Sequence, residues 1–116
     1  MLHETPLTVD RKQGKTNNTC VWSLTGPLIL RNLFELQSEL RRHQPSPLTV
    51  LDLAGVPYID SAGLGLLMNH YVHCQGKGAR MVVAAANSRV LDLFKITRVD
   101  AVLALAATAE DAEPDA

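Results

Sequence analysis

Hydrophobic and polar residues alternate in two short segments near the start of the chain. Residues 7–11 and 19–25 show the two-residue period of a half-buried β-strand, and alternate residues from Cys20 to Leu24 share one face. Residues 13–18 between them are rich in turn formers. We therefore expect the chain to begin with a β-hairpin.

Apolar residues recur with a helical period in three later segments. This period predicts helices at about 28–43, 61–75 and 88–97. The apolar stripe of the first helix consists of Ile29, Leu33, Leu36 and Leu40 and is widened by Leu30 and Phe34. Two short continuous apolar runs, 48–53 and 80–85, are typical of buried strands.

The predicted order is strand, strand, helix, strand, helix, strand, helix and a terminal element. Strands that alternate with helices indicate an α/β fold with a mixed sheet of four or five strands and right-handed crossovers, covered by helices mainly on one face. Residues 101–107 are apolar and rich in alanine, and fit either a short edge strand or a last helix. We expect one domain over residues 1–109, followed by an acidic, disordered tail at 110–116.

Composition narrows the function only a little. The 116 residues carry a net charge of -1, so nucleic acid is not expected as a partner. Cys20 and Cys74 lie far apart and have no metal-binding spacing, which favours two reduced thiols over a redox pair. The sequence shows no signal-peptide pattern and no apolar run long enough to cross a bilayer, so we expect a cytoplasmic protein without membrane insertion.

The segment 48–67, LTVLDLAGVPYIDSAGLGLL, is the most informative part of the chain. An apolar strand is broken by Gly55-Val56-Pro57, and Asp60-Ser61 then opens the second predicted helix. Ser61 has three interpretations: a helix N-cap, a hydrolase nucleophile, or a phosphate acceptor at the positive end of a helix dipole. The nucleophile is disfavoured because the first glycine of G-x-S-x-G is missing.

The same segment resembles a known family. Asp52, Val56-Pro57-Tyr58-Ile59 and Asp60-Ser61-Ala62-Gly63-Leu64-Gly65 resemble the signature of STAS domains, the family of bacterial anti-sigma factor antagonists. The resemblance extends weakly to Leu24-Thr25-Gly26 and to residues 76–83. It implies the STAS (SpoIIAA-like) fold, in agreement with the periodicity.

The resemblance also implies a function without catalysis. In that family, a partner kinase that doubles as the anti-sigma factor phosphorylates the serine that corresponds to Ser61. The unphosphorylated domain binds this kinase and releases the sigma factor, and a phosphoserine phosphatase restores that form. The domain then needs no cofactor of its own, since the kinase supplies Mg-ATP. The alternative is a STAS scaffold in a stress-signalling assembly or an accessory subunit of a lipid transporter, and both a monomer and a weak dimer remain open.

Several residues around Ser61 are candidates for the partner-binding surface, namely Gly26, Asp52, Asp60, Ala62, Gly63, Leu64 and Gly65. Gly63 and Gly65 lower the stability of the first helical turn relative to alanine. Their presence there is explained either by tight packing of the helix on the sheet or by a partner that lies flat against the turn. The resemblance implies that Asp52 lies close to the phosphorylation site. His43, His70 and His73 show no convincing metal-ligand geometry. His70 and His73 are spaced i, i+3, which could share a metal, but a solvated helix face is favoured for them.

Overall fold

The computed structural model describes residues 5–113. The five strands are Thr8–Gln13 (β1), Thr19–Thr25 (β2), Leu48–Gly55 (β3), Arg80–Ala84 (β4) and Ala104–Ala106 (β5). The α-helices are Leu33–Arg42 (α1), Ser61–Gly76 (α2), Ser88–Ile96 (α3) and Ala109–Ala112 (α4). Short 3₁₀ turns occupy Leu30–Asn32 and Val99–Ala101.

The strands form one mixed sheet in the order β1-β2-β3-β4-β5. The first two are antiparallel and the remaining neighbours are parallel, because each of the later strands is reached through a helical crossover. The predicted hairpin and the predicted α/β class are both confirmed. Of the two alternatives for residues 101–107, the structure contains the edge strand, β5.

The main core lies between one face of the sheet and the helices α1, α2 and α3. Leu51 and Leu53 of β3 project into it, and Leu36, Leu67 and Phe94 supply the facing helix side chains. All five are essentially inaccessible to solvent. The helices therefore lie mainly on one face, as the periodicity predicted.

The opposite face of the sheet has a smaller cluster beneath α4. Val21, Val50 and Ala84 are buried there, with Ala109 and Ala112 packed against them. Residues 110–112 of the expected tail belong to α4, because this apolar face of the sheet gives the alanines of that helix a surface to cover. Residues 114–116 of the expected tail lie outside the described part of the chain.

Helix α1 begins later than its apolar period predicted. Leu28 is extended and pairs with Ile59, and its N–H donates to the Tyr58 carbonyl oxygen at 3.0 Å. This bridge holds the backbone out of the helical conformation, so the α-helix starts only at Leu33. Within residues 5–113, no helix is long and apolar enough to cross a membrane.

Candidate functional site

Two loops lie side by side at the carboxyl ends of β2 and β3. Besides the Leu28–Ile59 bridge, the Asp60 N–H donates to the Leu28 carbonyl oxygen at 3.2 Å. Gly26 opens the first loop with φ of 114°, and a Cβ there would lie only 2.5 Å from the Pro6 carbonyl oxygen. This conformation and this close approach both require glycine, so Gly26 shapes the loop that borders the start of α2.

Asp60, rather than Ser61, is the N-cap of α2. Its Oδ1 accepts a hydrogen bond from the Gly63 N–H at 2.8 Å. Its Oδ2 accepts one from the Leu30 N–H at 3.0 Å. The interpretation of Ser61 as the cap was wrong because the neighbouring carboxylate takes that position and also ties α2 to the adjacent loop.

Ser61 is the first residue of α2 and its side chain is exposed. Its hydroxyl makes no hydrogen bond to any residue between 5 and 113. The helix-terminal N–H groups and the dipole nevertheless make this position favourable for a negative charge. The hydroxyl is therefore accessible, and the fold does not use it.

The two glycines of the first turn have different surroundings. Gly63 is buried, and a Cβ at this position would clash with the Leu28 carbonyl oxygen. Gly65 is exposed, and no atom lies within 4 Å of the place where its Cβ would be. Tight packing therefore accounts for Gly63 but not for Gly65.

Ala62 and Leu64 complete the first turn of α2, and both are half-buried. Leu64 packs against the main core. Only part of its side chain is left to contact another molecule.

Asp52 makes no contact with Ser61 through its hydrogen bonds. It alternates with Leu51 and Leu53, which face the helices, so its side chain is on the other face of the sheet. Its Oδ1 accepts a hydrogen bond from the Ala54 N–H at 3.0 Å. The carboxylate is thus bonded locally within its own strand, and no hydrogen bond joins it to Ser61.

Two apolar side chains beside the site are exposed, although the sequence pattern placed them on the buried stripe of the first helix. Leu30 is 72% and Phe34 is 79% exposed. Leu30 is next to the α2 N-terminus, since its N–H binds Asp60, and Phe34 lies one turn further along. The sequence itself could have shown this for Phe34. It lies about 100° from Leu33 around α1, which turns its side chain away from the apolar stripe.

A shallow groove of about 460 Å³ runs along the same end of the sheet. Its lining comes mainly from the ends of β2 and β3 and the loops after them, including Gly26 and Pro57, and also includes Asn87. The Asn87 side chain donates to the Pro57 carbonyl oxygen at 3.1 Å and also caps α3 by accepting from the Val90 N–H at 2.9 Å. The groove is therefore held in shape by hydrogen bonds between loops.

The histidines are not all on solvated faces. His70 of α2 is buried, whereas His73 is exposed, with 6.0 Å between the two ring centroids. Burial, and to a smaller degree the charge of His73, lowers the pKa of His70. Among residues 5–113, no three His, Cys, Asp or Glu side chains are arranged to hold a metal ion.

Both cysteines are buried free thiols. Burial raises the pKa of both Cys20 and Cys74. The charge of Arg11 partly offsets the rise at Cys20, and a side-chain hydrogen bond with Thr49 partly offsets it at Cys74. Neither thiol lies at the start of α2.

Comparison with known proteins identifies the family. The profile of the STAS domain matches residues 11–112, which confirms the resemblance inferred from the signature. An anti-sigma factor antagonist from Mycobacterium paratuberculosis has a similar structure, with a TM-score of 0.79 and 24% identity over 91% of this chain and 90% of that one.

Two further solved structures show the same fold at lower identity. A sulfate transporter family protein from Wolinella succinogenes has a TM-score of 0.76 and 16% identity over 84% of this chain and 83% of that one. The Bacillus cell fate determinant SpoIIAA in its phosphorylated form has a TM-score of 0.70 and 16% identity over 90% of this chain and 96% of that one.

Proposed function

The chain belongs to the STAS domain family, and we propose that it is a cytoplasmic anti-sigma factor antagonist that phosphorylation of Ser61 switches off. In the unphosphorylated form it binds an anti-sigma factor with serine kinase activity and thereby releases a sigma factor. A phosphoserine phosphatase regenerates this form. The chain itself is not an enzyme, and Mg-ATP enters with the partner kinase.

The observation that carries this proposal is the contrast between Ser61 and its neighbours. Asp60 and Gly63 are fully engaged in capping and packing α2, whereas the Ser61 hydroxyl is exposed and makes no hydrogen bond within the described residues. A kinase can reach this hydroxyl without unfolding the helix. The likeness to an anti-sigma factor antagonist and to a phosphorylated SpoIIAA supports the same role.

The surroundings of Ser61 suit a flat contact with a partner. Exposed apolar surface from Leu30 and Phe34 lies on one side, and Gly65, without a side chain, lies one turn beyond Ser61 on α2. Phosphorylation adds a charge of about -1.5 to -2 beside the Asp60 carboxylate. The helix N-terminus stabilises this charge in the free domain, but burying it in a partly apolar contact is costly, so the partner dissociates.

The test is phosphorylation with a matched control. The partner kinase is first captured from the native cytoplasm and identified by mass spectrometry, and the purified kinase is then incubated with this chain and Mg-ATP. We expect one phosphoryl group, on Ser61. Ser88 is the control, because it is also exposed and also the first residue of a helix, following the Asn87 cap.

Ser61→Ala should abolish the modification and Ser88→Ala should leave it unchanged. Phosphate on Ser88, Thr25 or Thr97 with Ser61 unmodified would overturn the assignment. Capture of a multi-subunit scaffold or a lipid-transport complex, without any kinase, would instead favour the non-switching role open to other STAS domains.

A further inference from the structure

A cleft of about 280 Å³ lies between α1 and α2, away from the groove at the carboxyl ends of the strands. Leu40 and Leu66 form its apolar part. Its polar lining comes from Arg41 on α1 and from His70 and His73 on α2, with two side-chain amides beside them. The cleft thus combines an apolar wall with a group of hydrogen-bond donors.

The charge in this cleft is uncompensated. None of its lining residues is acidic, and α2 contains no acidic residue from Ser61 to Gly76. Arg41 has no ion-pair partner within residues 5–113, whereas the adjacent Arg42 lies 3.6 Å from Glu39. An unpaired guanidinium beside an apolar wall is a suitable partner for an anion that also has an apolar part.

His70 is a second and independent indication of a ligand. It is only 8% exposed, yet its ring makes no hydrogen bond to any described residue. No side-chain nitrogen or oxygen that is fully buried lacks a partner in this part of the chain, so the unpartnered ring nitrogens of His70 are not fully buried, and His70 lines the cleft. A largely buried polar side chain that lines an open cleft without a partner is an unused binding group.

The groups around His70 on other elements are also not acidic. Arg11 of β1, Cys20 of β2 and His43 after α1 line a small cavity of about 10 Å³ that His70 also borders. Arg11 lies over the Trp22 ring at 5.6 Å and His43 packs edge-on to the same ring. Arg41 and His73 line the main cleft, and none of these groups supplies a negative charge.

From this combination we propose that the cleft between α1 and α2 binds a small organic monocarboxylate. Its apolar body contacts Leu40 and Leu66, and its carboxylate accepts hydrogen bonds from Arg41 and from the imidazoles of His70 and His73. A monoanion fits better than a phosphate dianion, because Arg41 is the one permanent cation in the lining. The volume corresponds to about nine water molecules, which admits a short aliphatic or aromatic acid.

The test is an NMR titration of the full chain with sodium hexanoate, with the neutral hexanamide as a matched probe. We expect saturable shifts confined to the facing residues of α1 and α2, and at least tenfold weaker binding of the amide. The His70 imidazole should titrate at higher pH when hexanoate is bound, because a bound anion favours the protonated ring. Such a shift does not depend on phosphorylation, so this test and the test of Ser61 can fail separately.

Arg41→Gln and Arg42→Gln form the matched pair of variants, since both remove one charge at adjacent exposed positions. Arg41→Gln should weaken hexanoate binding at least tenfold, and Arg42→Gln by less than twofold. Thermal melts establish that both variants fold. Equal losses in the two variants, equal binding of hexanamide, or the absence of saturable shifts up to the solubility of the probe would each overturn the proposal.

Discussion

The first turn of α2 has an inner side and an outer side, and they differ in what the fold requires of each. Asp60 and Gly63 on the inner side are fixed by hydrogen bonds and by contact with the Leu28 backbone. Ser61 and Gly65 on the outer side are exposed. The Ser61 hydroxyl makes no hydrogen bond within the described residues, and no atom lies near the position that a Gly65 side chain would take. The inner residues therefore explain how the site is built, whereas the outer residues point to what it does.

Gly63→Ala tests the inner side most severely. The added Cβ would clash with the Leu28 carbonyl oxygen, and a backbone atom cannot move aside without shifting the loop. We expect the free energy of unfolding to fall by about 2 kcal/mol or more, despite the better helix propensity of alanine. Urea denaturation measures this, and a loss below that of Asp60→Ala would show that the loop yields easily.

Asp60→Ala removes both hydrogen bonds that the carboxylate accepts, from Gly63 and from Leu30. The expected cost is about 1–2 kcal/mol, since a lost N-cap and an unsatisfied loop amide contribute together. Asp60→Asn keeps an oxygen for the cap and should lose less than half as much. Equal losses in the two variants, measured by chemical denaturation, would mean that the negative charge rather than the cap geometry matters.

His70 and His73 extend the comparison to the middle of α2, one facing inward and the other outward. Folding lowers the pKa of His70, so below its ordinary pKa of 6.5 the unfolded chain binds more protons than the folded chain. The neutral, buried His70 therefore contributes its full stabilisation only above that pH. Stability should therefore fall as the pH drops below that value, by at most about 1.4 kcal/mol per pH unit for one proton.

The measurement is a set of denaturation curves between about pH 5 and pH 8, the range in which histidine titrates. The free energy of unfolding of His70→Gln should lack this part of the pH dependence. His73→Gln should keep most of it, since burial is the larger cause of the shift at His70. An unchanged pH dependence in His70→Gln would refute the attribution to that residue.

The sequence predicted the elements more reliably than it predicted which residues they bury. The order of strands and helices follows from hydrophobic periods of two and 3.6 residues. These periods are clear because each strand and each main helix places its apolar residues in a core on the same sheet. The first predicted helix, however, began at Leu28, and its apolar stripe included Phe34. Leu28 instead pairs with Ile59, which comes from a loop about thirty residues away in the chain. Phe34 is exposed because it lies about 100° around α1 from Leu33.

Within the site, the sequence identified the segment but not the roles inside it. Asp60 and Ser61 are both good N-cap residues, so propensity could not separate them. The distinction comes from the Leu30 N–H, thirty residues away in the chain, which donates its hydrogen bond to Asp60 and not to Ser61. Gly63 and Gly65 are likewise equivalent in sequence, and only the position of the Leu28 carbonyl oxygen distinguishes them.

Gly65→Ala tests the outer side through two measurements of opposite sign. The position is helical, exposed and free of neighbours, so alanine should stabilise the free domain by about 1 kcal/mol. If a partner lies flat against this turn, the same methyl group should weaken its binding, as measured by calorimetry with the captured kinase. Gly76→Ala is the control, because it is also an open helical position but lies at the far end of α2.

Ser61→Asp should have the smallest effect on stability and the clearest effect on function. An acidic side chain in the first turn of a helix stabilises it by some tenths of a kcal/mol, so the thermal midpoint of the free domain should rise slightly or stay unchanged. Ser88→Asp occupies the equivalent position of α3 and should behave in the same way.

In contact with the partner the two variants should differ, since only Ser61→Asp puts a second negative charge beside Asp60 within the proposed interface. We therefore expect calorimetry to show weaker kinase binding for Ser61→Asp and unchanged binding for Ser88→Asp. If Ser61→Asp bound as tightly as the parent, charge at this position could not operate the switch, and the exposed outer side of α2 would be better explained as the contact surface of a constitutive scaffold.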